Sequence, residues 1–119
     1  MSLLSQIILG IIALLHFYFL YLEMFVWTTR GPKVFKNIPK DLFPKTKTMA
    51  ANQGLYNGFL AAGLVWTFFI SDAVWSKNIA IFFLSCVLIA ALYGAYSVSK
   101  RIFYIQGVPA VLALLSLFL

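Results

Sequence analysis

Thr48-Met-Ala-Ala-Asn-Gln-Gly-Leu-Tyr-Asn-Gly-Phe-Leu-Ala-Ala-Gly-Leu-Val-Trp66 is the stretch on which the reading of the fold turns. It is apolar enough to enter a membrane, yet its first half carries Asn52, Gln53, Tyr56 and Asn57. At roughly 100° per residue, Gln53, Tyr56 and Asn57 share one helical face, and Gly54, Gly58 and Ala61 line an adjacent one. Small residues spaced four apart let two helix backbones approach closely, and amides in hydrocarbon need partners on a neighbouring helix. The segment is therefore expected at the centre of a helical bundle, with a polar site beside its tightest contact.

The rest of the chain fits a membrane setting. It has 119 residues, of which 63% are hydrophobic, and a mean hydropathy of +0.96. A soluble domain of this length could not bury so much apolar side chain, so lipid is expected to cover much of it. One domain, 1–119, is the expected count. A net charge of +6 would point to nucleic acid in a soluble protein. Here the charges sit in loops between apolar runs, where membrane orientation and anionic lipid headgroups account for them, and no nucleic-acid partner is expected. The single cysteine, Cys86, excludes an internal disulfide and any multi-cysteine metal site. No Lys or Arg precedes the first apolar run, which also exceeds the roughly 7–15 residues of a signal h-region, so a retained N-terminal helix is expected.

Four apolar segments follow one another at about 3–27, 48–70, 78–96 and 102–119, each near the ~20 residues a bilayer requires. Pro109 cannot bond to the Ile105 carbonyl, so the last span is expected to be kinked. Arg30, Lys33, Lys36, Lys40, Lys45 and Lys47 lie between the first two segments, and Lys100 and Arg101 between the last two. Only Lys77, offset by Asp72, occupies the remaining loop. The positive-inside rule then makes loops 28–47 and 97–101 cytoplasmic and puts both termini outside. In the basic loop Pro32, Pro39 and Pro44 bar a long helix. Val34, Phe35, Ile38, Leu42 and Phe43 alternate there with lysines, as expected of a segment resting on headgroups. Such a segment serves either as a lid over an opening or as a plain connector. Trp27 on one side and Trp66 and Trp75 on the other fit interfacial aromatic belts.

Glu23 is the only acidic residue within an apolar segment. Counting back from Thr29 puts it roughly 9 Å inside the membrane, where a carboxylate is costly unless neutralised or paired. His16, Leu20, Glu23 and Trp27 fall on one stripe of the first helix. Counting along the other helices brings Gln53, Asn57, Tyr93 and Gln106 to about the depth of Glu23, with His16 two turns deeper. Two readings of this cluster stand side by side. Glu23 and the amides either fix helix register as interhelical glue, or bind a solute or proton. Metal and cofactor chemistry is not expected, because no second His exists and one His and one Glu about 10 Å apart make no metal site. Catalysis is poorly supported: there is no Ser-His-Asp arrangement, no HExxH, no phosphate loop and no CxxC.

Glu23-Met-Phe-Val-Trp27, Ala50-Ala-Asn-Gln-Gly-Leu-Tyr-Asn-Gly-Phe-Leu-Ala-Ala-Gly63 and Gln106-Gly-Val-Pro-Ala110 together resemble the small integral-membrane family catalogued as domain of unknown function 1304. The resemblance covers nearly the whole chain. It implies a compact four-span protein and brings no activity, substrate or cofactor. It also marks Glu23, Trp27, Asn52, Gln53, Tyr56, Asn57 and Gln106 as signature positions. A more distant likeness to DoxX-type four-helix proteins rests on architecture alone. The small multidrug transporters are similar in size and in carrying a first-helix carboxylate, but their motifs are absent.

The expectation is thus an all-α, polytopic membrane protein built as a four-transmembrane-helix bundle in the cytoplasmic membrane. Its polar pocket, centred on Glu23, would bind or transport a small molecule with protonation of Glu23 competing for the solute. At this size a homodimer is expected. Two rivals remain open: a structural or accessory membrane protein without ligand, and a lipid- or quinone-modifying enzyme using Glu23 and His16 as acid and base.

Overall fold

The computed structural model describes all 119 residues; the chain is all-helical, without a strand. Its elements are α1 (Leu3–Phe25), the short α2 (Gly31–Val34) and α3 (Leu42–Lys45), α4 (Lys47–Thr67), α5 (Ala73–Ser97), α6 (Lys100–Ile102) and α7 (Val108–Ser116), with a π-helical stretch, Phe103–Gly107, joining the last two. Two of them, α1 and α5, are long and apolar enough to cross a membrane. At 21 residues α4 has the length, but Lys47, Asn52, Gln53 and Asn57 dilute its first turns. The fourth apolar segment is divided into three short pieces by the π stretch.

By its packing the chain forms two compact units, Met1–Leu14 with Leu60–Leu119, and Leu15–Phe59. In the larger unit Leu9, Ile12 and Ala13 meet Leu64, Ala80, Leu84, Ala113 and Leu117 in one core. On α5 the buried positions are Ser76, Ala80, Leu84, Val87 and Ala91, three or four apart, so a single narrow stripe packs inward. Gly63 lets α4 accept the Phe83 ring, which a Cβ at that position would strike.

The corner between α4 and α5 is held by two hydrogen bonds. The Asp72 carboxylate accepts from the Trp75 N–H at 3.0 Å, and Ser76 Oγ donates to the Thr67 carbonyl at 2.8 Å. This N-cap starts α5 at Ala73, ahead of the apolar run that hydropathy places at 78, because the cap satisfies an orphan amide before the run begins.

The irregularity expected at Pro109 takes the form of a π turn. The Val108 N–H reaches back to the Phe103 carbonyl, and Pro109 falls in the first turn of α7. A proline there lacks only an N–H that the helix start leaves unpaired in any case.

In the smaller unit the second half of α1 packs on the first half of α4, and the connection between them folds inward. Pro32 opens α2. Phe43 is fully buried, its ring centroid 4.9 Å from that of Trp27, and Phe35 lies against the same indole at 5.5 Å. Phe43 therefore does not rest on headgroups, as its alternation with lysines predicts, but fills the space left by Gly31. A Cβ on Gly31 would come within 2.8 Å of the Phe43 ring. Leu42 and the lysines of the segment remain exposed.

Candidate functional site

Within the smaller unit, spacings of three and four residues bring two helix faces together. Leu20 and Glu23 face one way on α1, with Trp27 just beyond its end, and Ala50, Gln53, Gly54, Asn57 and Gly58 face them from α4. Gly54 sets the distance: a Cβ there would lie 3.1 Å from Glu23 Cβ and 3.2 Å from both the Leu20 carbonyl oxygen and the Met24 nitrogen. Gly58 likewise receives the Leu20 side chain, which a Cβ would overlap. At Gly54 α4 thus lies close to the α1 backbone, and at Gly58 against a side chain, as small residues four apart permit.

Over that contact Glu23 is 7% exposed, and both carboxylate oxygens accept hydrogen bonds. Gln53 Nε2 donates to Oε2 at 3.0 Å, and Asn57 Nδ2 donates to Oε1 at 2.6 Å. The two amides are not equivalent, since Gln53 is exposed whereas Asn57 is half-buried. Gln53 is therefore the outer side of the clamp, and a group approaching the carboxylate from outside meets it first. Lys45 pairs with Asp41 at 3.7 Å, and no Lys or Arg nitrogen lies within ion-pair distance of Glu23.

In the turn that follows α1, Trp27 Nε1 donates to Thr46 Oγ1 at 3.0 Å, and Thr46 Oγ1 donates to the Leu42 carbonyl at 2.8 Å. With the Phe43 ring below it, the indole fastens the basic connection to the start of α4. Arg30 reaches back along the same unit, its Nε donating to the Tyr18 hydroxyl at 3.2 Å.

The remaining expected site residues fall in different surroundings. His16 is fully buried on α1, with the Phe19 ring edge-on at 5.3 Å. Tyr56 does not join the Gln53–Asn57 face: it is 65% exposed, because the close backbone contact at Gly54 and Gly58 leaves no room for a ring. Asn52 turns to its own helix, donating to the Thr48 carbonyl at 3.0 Å. Tyr93 and Gln106 belong to the larger unit; Tyr93 is exposed, and Gln106 is half-buried in the π turn. The sequence does not reveal Thr46 and Gly31, or the buried place of Phe43, since contacts made by an irregular segment leave no periodic signal. No three His, Cys, Asp or Glu side chains cluster closely enough to hold a metal ion.

Helices throughout, two of them able to cross a membrane, and a buried carboxylate gripped by two amides define a class of small, apolar helical protein. Within that class the chain belongs to the family described as protein of unknown function (DUF1304), which matches residues 10–118. The uncharacterized protein YpaA of Lactococcus lactis subsp. lactis (strain IL1403) is 34% identical over 120 residues, covering 99% of this chain and 99% of its own. No solved structure matches the chain.

Proposed function

We propose that this chain is a multi-pass membrane protein that binds, and in a dimer transports, a small cationic or hydrogen-bonding solute at Glu23, in exchange for a proton. The observation that carries the reading is the buried Glu23 carboxylate, which faces two neutral amide donors and no lysine or arginine. Burying a carboxylate costs several kcal/mol unless a counter-charge or a proton neutralises it. A proton and a cationic solute are interchangeable answers to that need, which is the basis of coupling. Gln53, on the exposed side, would swing away to admit the solute while Asn57 holds the far oxygen.

The reading goes with a four-span arrangement. Besides α1 and α5, α4 has the length to cross, and Lys100 to Ser116 runs on as α6, π turn and α7. Large apolar side chains such as Ile11, Leu14, Phe59, Phe82 and Leu112 are exposed, which suits contact with lipid. The basic connection of residues 28–47 would then lie on the cytoplasmic side with both termini outside.

A second reading has its own observation. Both oxygens of Glu23 are already occupied, so the clamp could serve only to lock α1 against α4. Native mass spectrometry of the detergent-purified protein beside Glu23→Gln separates the two. Binding at Glu23 predicts a small molecule that co-purifies with the wild type and is missing from the variant. Equal masses, carrying detergent alone, would leave the clamp.

A further inference from the structure

The larger unit carries a second polar feature, built from residues other than Glu23 and its two amide partners. A cleft of about 370 Å³ opens where α1 and α5 begin and α7 ends, lined by Met1, Ser5, Val74, Lys77, Ser116 and Leu117 among others. Its floor is a chain of hydroxyls. Ser2 Oγ donates to Ser5 Oγ at 3.0 Å, Ser5 Oγ and Ser116 Oγ are 2.8 Å apart, and Ser116 Oγ donates to the Ala113 carbonyl at 2.6 Å. Ser5 and Ser116 are buried. At the wall stands Lys77, half-buried, its ammonium 4.6 Å from the centroid of the Phe118 ring.

Lys77 makes no ion pair, since the chain's one pair is Lys45 with Asp41. The nearby acid, Asp72, is turned to the Trp75 amide as a cap. An ammonium held over a ring, in a cleft with hydroxyls and with no carboxylate within ion-pair distance, is a half-built receptor for an oxyanion. The other walls are apolar, formed by Ala73, Val74, Leu117 and Leu119, with Leu117 buried and Val74 and Leu119 exposed. If α1 and α5 cross a bilayer, their first residues lie at headgroup level.

We propose that this cleft binds an anionic amphiphile, seating its carboxylate or phosphate headgroup against Lys77 and Ser2 and its chain along Val74 and Leu117. The site is independent of Glu23. An amphiphile is favoured over a free anion because one exposed-side ammonium holds a small anion weakly in water, whereas the apolar wall adds the burial of a chain.

The test is titration of the purified protein in neutral maltoside micelles, read by native mass spectrometry, with dodecanoate, dodecyl phosphate, inorganic phosphate and dodecyltrimethylammonium as probes. Dodecanoate and dodecyl phosphate are expected to bind one per chain. Lys77→Gln is expected to weaken both by about tenfold or more, the loss of one charge-assisted contact, while Lys77→Arg retains them. Glu23→Gln should bind the two probes as the wild type does. Equal binding by wild type and Lys77→Gln, or equal binding of the cationic amphiphile, would overturn the proposal. Inorganic phosphate binding as tightly as dodecyl phosphate would overturn the assignment to an amphiphile.

Discussion

Gly54 decides how near Glu23 stands to its donors, so the smallest change at the site is a methyl group. Gly54→Ala would put a Cβ 3.1 Å from Glu23 Cβ and 3.2 Å from backbone atoms of Leu20 and Met24. Neither neighbour is the yielding end of a flexible side chain, so the helices must part. The expected cost is roughly 1–3 kcal/mol, read as a lower thermal midpoint in detergent, together with loss of any solute held at Glu23. Asn57→Ala removes the 2.6 Å bond to Oε1 and leaves a buried acceptor without its donor. A loss of about 1.5–3 kcal/mol is expected, as for other bonds to charged groups. Glu23, Gln53 and Asn57 were legible in the sequence because a fixed rise per residue turns position into depth, and a carboxylate in an apolar run demands donors at its own depth. Tyr56 shows the limit of that arithmetic. Angular position places it beside Asn57, but only packing reveals that a helix pair closed at Gly54 and Gly58 excludes a ring.

At the scale of elements, the long helices follow from apolar periodicity and the connections from local chemistry. The Asp72 cap lengthens α5 beyond its apolar run; Asp72→Ala is expected to cost about 1 kcal/mol, measured by thermal unfolding, without changing the Glu23 site. The basic segment between α1 and α4 is held by Trp27, through Thr46 and the buried Phe43. Phe43→Ala empties that space, at roughly 3–5 kcal/mol for a buried aromatic. Trypsin should then cut at Lys36 and Lys40 much faster than in the wild type; an unchanged rate would show that the ring does not hold the segment. Nothing in the sequence pairs Phe43 with Gly31, because the segment has three prolines and no period from which a facing residue could be inferred. Pro109 did announce an irregular fourth segment, but the sequence could not choose between a break and the π turn that absorbs the missing N–H.

For the molecule as a whole, all-helical architecture followed from composition and spacing, and the family from the three quoted motifs. Orientation is the prediction that belongs to this scale. On a Cys86→Ser background, Val74→Cys is expected to react with a membrane-impermeant maleimide from the outside of intact cells, and Lys40→Cys only after lysis. Labelling of both from the same side would refute the four-span topology. Exchange of the neutralising partner at Glu23 can be observed directly, because Glu23 is the chain's only glutamate. Glutamate labelled with 13C at the δ-carbon therefore gives a single side-chain carboxyl signal, to be followed by NMR in lipid nanodiscs. The account predicts that this signal moves between its ionised and protonated positions with pH, and moves again when the co-purified solute is added. One ionised signal that responds to neither would contradict it and leave Glu23 as a fixed clamp between α1 and α4.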